Sequence, residues 1–201
     1  MRSLHASLVA LVIALTSACT HLAYTGGARP TQPIALDATW IHAAPTPVVK
    51  QAQETDCGLA ALAMVAGAWG KQWNVGELAR AMPPGDKGVK LAVLRDYARA
   101  HGLEAFAIAA TPKDLEHELA AGRPVLLGLM LPFDYQHNQS HYEVAIAMRP
   151  SDGTVITIDP ATGQWMTRKK QVLDVEWKAA KYAALVVTAD RGPAAHSVST
   201  M

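Results

Sequence analysis

Gln51-Ala-Gln-Glu-Thr-Asp56-Cys57-Gly58 runs directly into Leu59-Ala-Ala-Leu-Ala-Met-Val-Ala-Gly-Ala-Trp69. The second part is apolar all round, contains no proline and is followed by Gly70, so it predicts a buried central helix. Cys57 opens that helix. A helix start leaves backbone N–H groups unpaired and carries the positive end of the helix dipole, and both stabilise a thiolate. Asp56 is placed to cap the helix, Gly58 leaves the approach to the thiol uncrowded, and Gln51 and Gln53 put amides a few residues upstream. Most free cysteines are nevertheless small buried hydrophobes. Position alone does not separate these two readings.

Outward from this helix, the chain alternates helix signals with caps before turning to strands. Asn74 with Glu77 starts a helix that ends before Pro83-Pro84, and the Gly85–Gly88 loop leads to a helix over Leu91–His101. Leu103–Ala109 reads as a strand, and Thr111-Pro112 as the cap and first-turn proline of a helix ending at Gly122. Strands follow at Pro124–Leu131, Tyr142–Met148, Thr154–Asp159 and Ala183–Thr188, with a helix over Arg168–Lys178 between the last two. Helices first and then an antiparallel sheet is the α+β pattern.

Histidine separates the readings of Cys57. Of the eight in the chain, His5, His21, His42 and His196 lie in or near the terminal segments, and His101 and His117 fall at helix ends or exposed faces. His137 sits in the polar stretch Asp134–Ser140, whereas His141 opens the strand His-Tyr-Glu-Val-Ala-Ile-Ala-Met. Alternation puts Tyr142, Val144, Ile146 and Met148 on one face, and His141, Glu143, Ala145 and Ala147 on the other. The two alanines of the second face suggest close packing of the Cys57 helix there. If His141 pairs directly with Asp159 on the next strand, Glu143 faces Thr157 and Met148–Asp152 forms the turn. Directly opposed residues have Cβ atoms about 5 Å apart, close enough for a carboxylate to orient the imidazole. A thiol, an imidazole and a carboxylate so placed make a Cys–His–Asp nucleophilic set. Gln51 and the Cys57 N–H would bind the oxyanion, and losing one such donor costs about 3–4 kcal/mol.

These residues resemble a known family. Gln51, Asp56-Cys57-Gly58 six residues on, His141-Tyr142 opening an apolar strand, and Asp159-Pro160 followed by Gly163 are similar to the bacteriocin-processing, double-glycine leader peptidases. The resemblance covers residues 48 to 187. It implies a papain-like cysteine peptidase fold, with Cys57 as nucleophile, His141 as base, Asp159 as its orienter and Gln51, rather than Gln53, as oxyanion donor. It implies no cofactor, and a peptide or protein as substrate. The best-known members are fused to a membrane transporter with an ATPase, so a stand-alone chain implies a separate transporter or secretion partner. Glu143 stands where that strand more often carries an apolar residue, and is expected to contact substrate or perturb His141. Trp165, after the Asp159-Pro-Ala-Thr-Gly loop, is expected near the substrate cleft, with Asp56 and Gly58.

Upstream, Arg2, the apolar run Leu8–Leu15 and Thr16-Ser17-Ala18-Cys19 read as a signal peptide, the run being short of the roughly 20 residues that span a bilayer. The small residues before Cys19 resemble a bacterial lipobox, with Thr16 where leucine is most frequent. Cys19 would be the lipidated residue, residues 19–47 a tether with a short strand near Ile34–Leu36, residues 48–189 the peptidase domain, and 190–201 a polar tail. That places the protein in the bacterial envelope, anchored to membrane and facing the periplasm or exterior. Simple cleavage near Ala18 would leave Cys19 a plain thiol. Lys plus Arg total 18 and Asp plus Glu 17, so no surface is built for nucleic acid.

Three rivals remain. His137-x3-His141 has metal-ligand spacing, but it spans a loop and a strand start, so no metal is expected. The same thiol, imidazole and carboxylate would serve a cell-wall amidase or an acyl transfer. The third rival is a non-catalytic peptide-binding module. The Gly85–Gly88 loop reads as a plain loop and not as a phosphate cradle.

Overall fold

The strand register and the helix packing follow from where apolar side chains find cover. A computed structural model describes residues 25–33, 36–132 and 138–189. The leader with Cys19, the strand expected near Ile34–Leu36 (in part), His137 and the tail from residue 190 lie outside them. Among the described residues no helix is long and apolar enough to cross a membrane.

In chain order the elements are β1 (Arg29–Thr31), β2 (Ile41–His42), a 3-10 turn (Glu54–Asp56), α1 (Cys57–Gly67), α2 (Val75–Ala81), α3 (Leu91–Ala100) and β3 (Glu104–Ala109). Then come α4 (Pro112–Ala120), β4 (Val125–Pro132), β5 (Asn138–Arg149), β6 (Thr154–Asp159), β7 (Gln164–Arg168), α5 (Lys170–Ala179) and β8 (Ala183–Thr188). The antiparallel sheet runs β1-β7-β6-β5-β4-β8-β3, with β2 added to the far end of β5. The α+β expectation holds, and the caps act as read: Asn74 Oδ1 accepts from Gly76 N at 2.8 Å, and Thr111 Oγ1 from Asp114 N at 3.2 Å.

Helices cover both faces of the sheet. On one side α1, α2 and α3 share a core with Leu126, Val144, Ile146, Ile158 and Leu185. On the other, Leu115 and Leu119 of α4 and Leu173 and Trp177 of α5 pack with Leu127, Leu129, Ala145, Val155 and Val186. The Cys57 helix is buried along nearly its whole length, as an all-apolar helix must be.

Four expectations are corrected. First, α1 packs on the Tyr142, Val144 and Ile146 face, not on the face of His141, Glu143 and Ala145. Both faces are apolar enough to be covered, so alternation on β5 could not tell which helix took which. Second, the β5–β6 pairing is Val144↔Ile158 and Ala145↔Thr157, then Ala147↔Ile156 after a shift. Continued by one residue, it sets Glu143 opposite Asp159, so His141 and Asp159 are diagonal neighbours. The shift is a bulge at Ile146, whose carbonyl accepts from Ala43 N at 2.8 Å while β2 pairs with Met148 and Ala147. The bulge moves Ala147 to the α1 core and Met148 to the other. Third, Arg168 is not helical: Gln164–Arg168 is strand β7, and the helix begins at Lys170. Fourth, the segment expected as tether is partly structural, since Arg29–Thr31 pairs with β7 and Ile41–His42 with β5.

Candidate active site

Cys57, at the first position of α1, lies beside the end of β5, and close packing brings them together. A Cβ on Gly58 would lie 3.0 Å from Cδ2 of Tyr142 and 3.3 Å from Leu94 Cδ1. Gly58 therefore faces the interior rather than the approach to the thiol, and its missing side chain lets the Tyr142 ring sit against α1. The neighbour of Gly58 is Cys57 and the neighbour of Tyr142 is His141, so this contact sets the thiol next to the imidazole.

His141 is the centre of the site. Its Nε2 lies 2.8 Å from Asp159 Oδ1, which leaves Nδ1 for the Cys57 thiol, a further neighbour that raises its pKa. Burial opposes charge on the imidazole, but the bonds to Asp159 and Cys57 and the carboxylate of Glu143 outweigh it, and His141 is pushed up to about 10. Asp159 is held by its own turn: Ala161 N donates to Oδ1 and Thr162 Oγ1 to Oδ2, each at 2.9 Å. Gly163 closes the turn in the left-handed region, at φ +71, with its N–H on the Asp159 carbonyl. Burial works against the Asp159 charge, yet His141 and these donors hold its carboxyl below the ordinary value.

Gln51 is tied to the same turn, its N–H donating to the Pro160 carbonyl at 2.9 Å. Its side chain is turned elsewhere. Nε2 donates to Gln53 O at 2.9 Å and reaches Glu54 O at 3.4 Å, while Oε1 is buried with no partner. In this conformation the amide braces the 3-10 turn, and presenting an N–H to an oxyanion requires it to rotate. Asp56 does not cap α1 with its side chain. Its Oδ2 accepts from Gln53 N at 3.0 Å, which fixes the turn that leads into Cys57.

Cys57 opens onto a cleft of about 310 Å³ lined by Glu54, Thr55, Asp86, Lys87, Gly88, Met130, Gln139 and Ser140. The Gly85–Gly88 loop, read from sequence as a bystander, is one wall of it. Gly85 and Gly88 bridge each other, and a Cβ on Gly88 would come within 3.0 Å of the Thr55 carbonyl. The paired glycines of so short a loop were the available signal, for they mark a close backbone approach. Trp165 lies instead in a separate cavity of similar size, with Pro30, Thr31, Pro33, Val48, Gly163 and Gln164.

Glu143 does not line the cleft either. It is fully buried and accepts from Thr157 Oγ1 at 2.5 Å and from Arg168 Nε at 3.2 Å. His141, Glu143 and Asp159 bring one ligand atom each within 4.8 Å of one another. Arg168 supplies the cation this cluster needs, and Ala161, Thr162 and Thr157 take the remaining oxygens, so the donors are spoken for without a metal.

Comparison with known proteins agrees with this geometry. The sequence pattern of the peptidase C39 family matches residues 45–190. No curated protein matches the sequence. Among solved structures, a C39-like peptidase from Bacillus anthracis superposes with a TM-score of 0.63 at 15% identity, covering 76% of this chain and 99% of that one. A double glycine motif protease from an AMS/PCAT transporter, in complex with a leader peptide, gives 0.59 at 19%, covering 74% and 94%. The peptidase domain of Streptococcus ComA, a bi-functional ABC transporter of a quorum-sensing pathway, gives 0.56 at 20%, covering 70% and 96%. At these identities the likeness concerns the fold, which is that of the papain-like peptidases.

Proposed function

From the premise that this chain belongs to the peptidase C39 family, and is therefore a cysteine peptidase, we propose that Cys57 is its nucleophile, His141 its general base and acid, and Asp159 the residue that orients His141. The supporting observation is one imidazole, Nε2 at 2.8 Å from Asp159, whose electrostatic neighbours include the Cys57 thiol that lines the cleft. With His141 already cationic, the proton shared by Cys57 and His141 rests on Nδ1 before substrate arrives, and in the reaction the sulfur attacks the scissile carbonyl carbon. The tetrahedral oxyanion forms beside the start of α1, where backbone N–H groups lack intrahelical partners. Gln51 joins them once its amide leaves the Gln53 carbonyl. Collapse breaks the C–N bond as His141 returns its proton to the leaving amine. Water, deprotonated by His141, then hydrolyses the thioester and frees the thiol.

The substrate of this reading is a peptide or protein segment, laid extended between the Gly85–Gly88 loop and the β4–β5 edge. The transporter-derived relative bound to a leader peptide supports that class. The reading places the reaction outside the cytosol, on a chain anchored through Cys19 and served by a separate transporter or secretion partner. Its support is the run Leu8–Leu15 and the residues Thr16-Ser17-Ala18-Cys19.

A thiol-directed alkylating probe at neutral pH tests the chemistry: Cys57 labels, and His141→Ala suppresses the labelling at least tenfold. Labelling indifferent to His141→Ala sinks the assignment. Comparison of the extracellular proteome of cells carrying the wild-type chain or Cys57→Ala then identifies the substrate.

A further inference from the structure

Behind His141 lies charge that peptide-bond cleavage does not require. Glu143, Arg168 and Glu176 come from β5, β7 and α5, and all three are buried. Arg168 is clamped between the two carboxylates: Nε and Nη2 donate to Glu143, and Nη1 donates to Glu176 Oε2. Glu176 is held in turn by the backbone N–H of Gly27, 2.7 Å from Oε1. Gly26 and Gly27 sit on α5 with no room for a side chain, since their Cβ atoms would fall 2.3 Å from Glu176 Oε1 and 2.7 Å from Val172 Cγ1. The chain of contacts thus runs from a segment that precedes the family-matched residues 45–190 to the catalytic strand.

Its inner end meets the imidazole. Glu143 Oε1 is 3.9 Å from His141 Nε2, against 2.8 Å for Asp159 Oδ1. The longer distance is no hydrogen bond, but between buried groups it is a strong electrostatic contact. A buried carboxylate this close would compete with Asp159 for the Nε2 proton unless something held it. Arg168 supplies that hold: its Nε and Nη2 pair with the two Glu143 oxygens and draw them away from Nε2. The other groups facing Glu143 are Asp159 and Thr157 on β6 and Glu176 on α5, with Cys57 of α1 on the far side of the imidazole.

We propose that Glu143 is a positioning residue for His141, held by Arg168 and Glu176 so that it favours the imidazolium while leaving Nε2 to Asp159. This rests on the assignment of Cys57 and His141 as nucleophile and base. An ion pair that merely fills the core would leave the charge state of His141 alone, and that difference is measurable.

The test is to titrate the His141 ring by NMR in the full chain labelled with ¹⁵N-histidine, with Cys57 alkylation by iodoacetamide followed in parallel by mass spectrometry. In the wild type the ring is cationic at pH 8. In Glu143→Gln, whose amide oxygen still accepts from Arg168, the midpoint falls by about one pH unit or more. A neutral His141 in the wild type at pH 8, or a Glu143→Gln midpoint within a few tenths of the wild-type value, overturns the proposal. The first of these needs no variant to fold. Failure of the underlying assignment looks different: Cys57 would not alkylate at neutral pH in the wild type, whatever the ring titration shows.

Discussion

The two faces of the sheet hold the site in different ways. Under α1 the contacts are alanine, leucine, valine, isoleucine and methionine. The face beneath α5 seals three carboxylates and an arginine away from water: Glu143, Asp159, Glu176 and Arg168. Apolar packing has no preferred direction, so on the first face the position of the thiol depends on shape, above all the missing side chain of Gly58. On the second, hydrogen bonds and charge set both the position and the ionisation of the imidazole. A site at the seam of two such faces can be damaged from either, with different signatures.

The largest expected effect comes from the polar face. Arg168→Met leaves Glu143 and Glu176 buried without their counter-charge, and breaking a pair this way costs about 3–5 kcal/mol. Urea unfolding measures it, and a loss under 1 kcal/mol would mean that the two carboxylates find other partners. The apolar face responds less. Gly58→Ala puts a methyl 3.0 Å from the Tyr142 ring, and overpacking of that kind costs about 1–3 kcal/mol. Because the ring must retreat, peptidase activity falls by more than that loss of stability explains. Equal activity per folded molecule would show that the Gly58–Tyr142 contact does not set the thiol–imidazole distance.

Stability against pH separates the faces next. His141 is raised from 6.5 to about 10 on folding, so its contribution is complete below pH 6.5 and is lost as pH rises through about 10. Asp159 is lowered, so its contribution is complete above its unfolded value and is lost only in acid, as pH falls through the depressed folded value. Unfolding midpoints of the wild type therefore decline between pH 6.5 and 10, and those of His141→Gln do so much less. A wild-type midpoint flat over that window would contradict a charged His141. The smallest effect belongs to the surface pair Arg149–Asp152, both partly exposed. Asp152→Asn leaves the unfolding midpoint unchanged within error, because solvent screens such pairs. A shift comparable to that of Arg168→Met would erase the distinction between buried and exposed charge in this protein.

What could be read from the chain alone tracks how local each signal is. The caps at Asn74 and Thr111 and the ends of β6 and β8 were legible because a few adjacent residues decide them. His141 and Asp159 were legible as a pair because both lie on one face near strand ends, and a diagonal relation serves as well as a direct one. The register itself was not. The bulge at Ile146 is made by Ala43, roughly a hundred positions away, and nothing within β5 announces it. Strand β7 was missed because Gln164–Arg168 is short and mixed, and only pairing with β1 and β6 makes it a strand. Glu143 stands out of place on an apolar strand. Its partners do not stand out: Arg168 falls at the start of the expected helix, and nothing in the sequence around Glu176 marks it as buried.

The sequence by itself determined the Cys57 helix, the α+β class and the identity of a thiol, an imidazole and a carboxylate that could work together. Those rest on residue chemistry and on the periods of helix and strand, which neighbours along the chain decide. Only the tertiary structure decided which face α1 covers, that Gln51 braces a turn, that the Gly85–Gly88 loop walls the cleft and that an arginine stands behind the histidine's second carboxylate. Each of these depends on groups far apart in the chain meeting where water is excluded, and there a charge or a missing methyl carries energy it does not have in the unfolded chain.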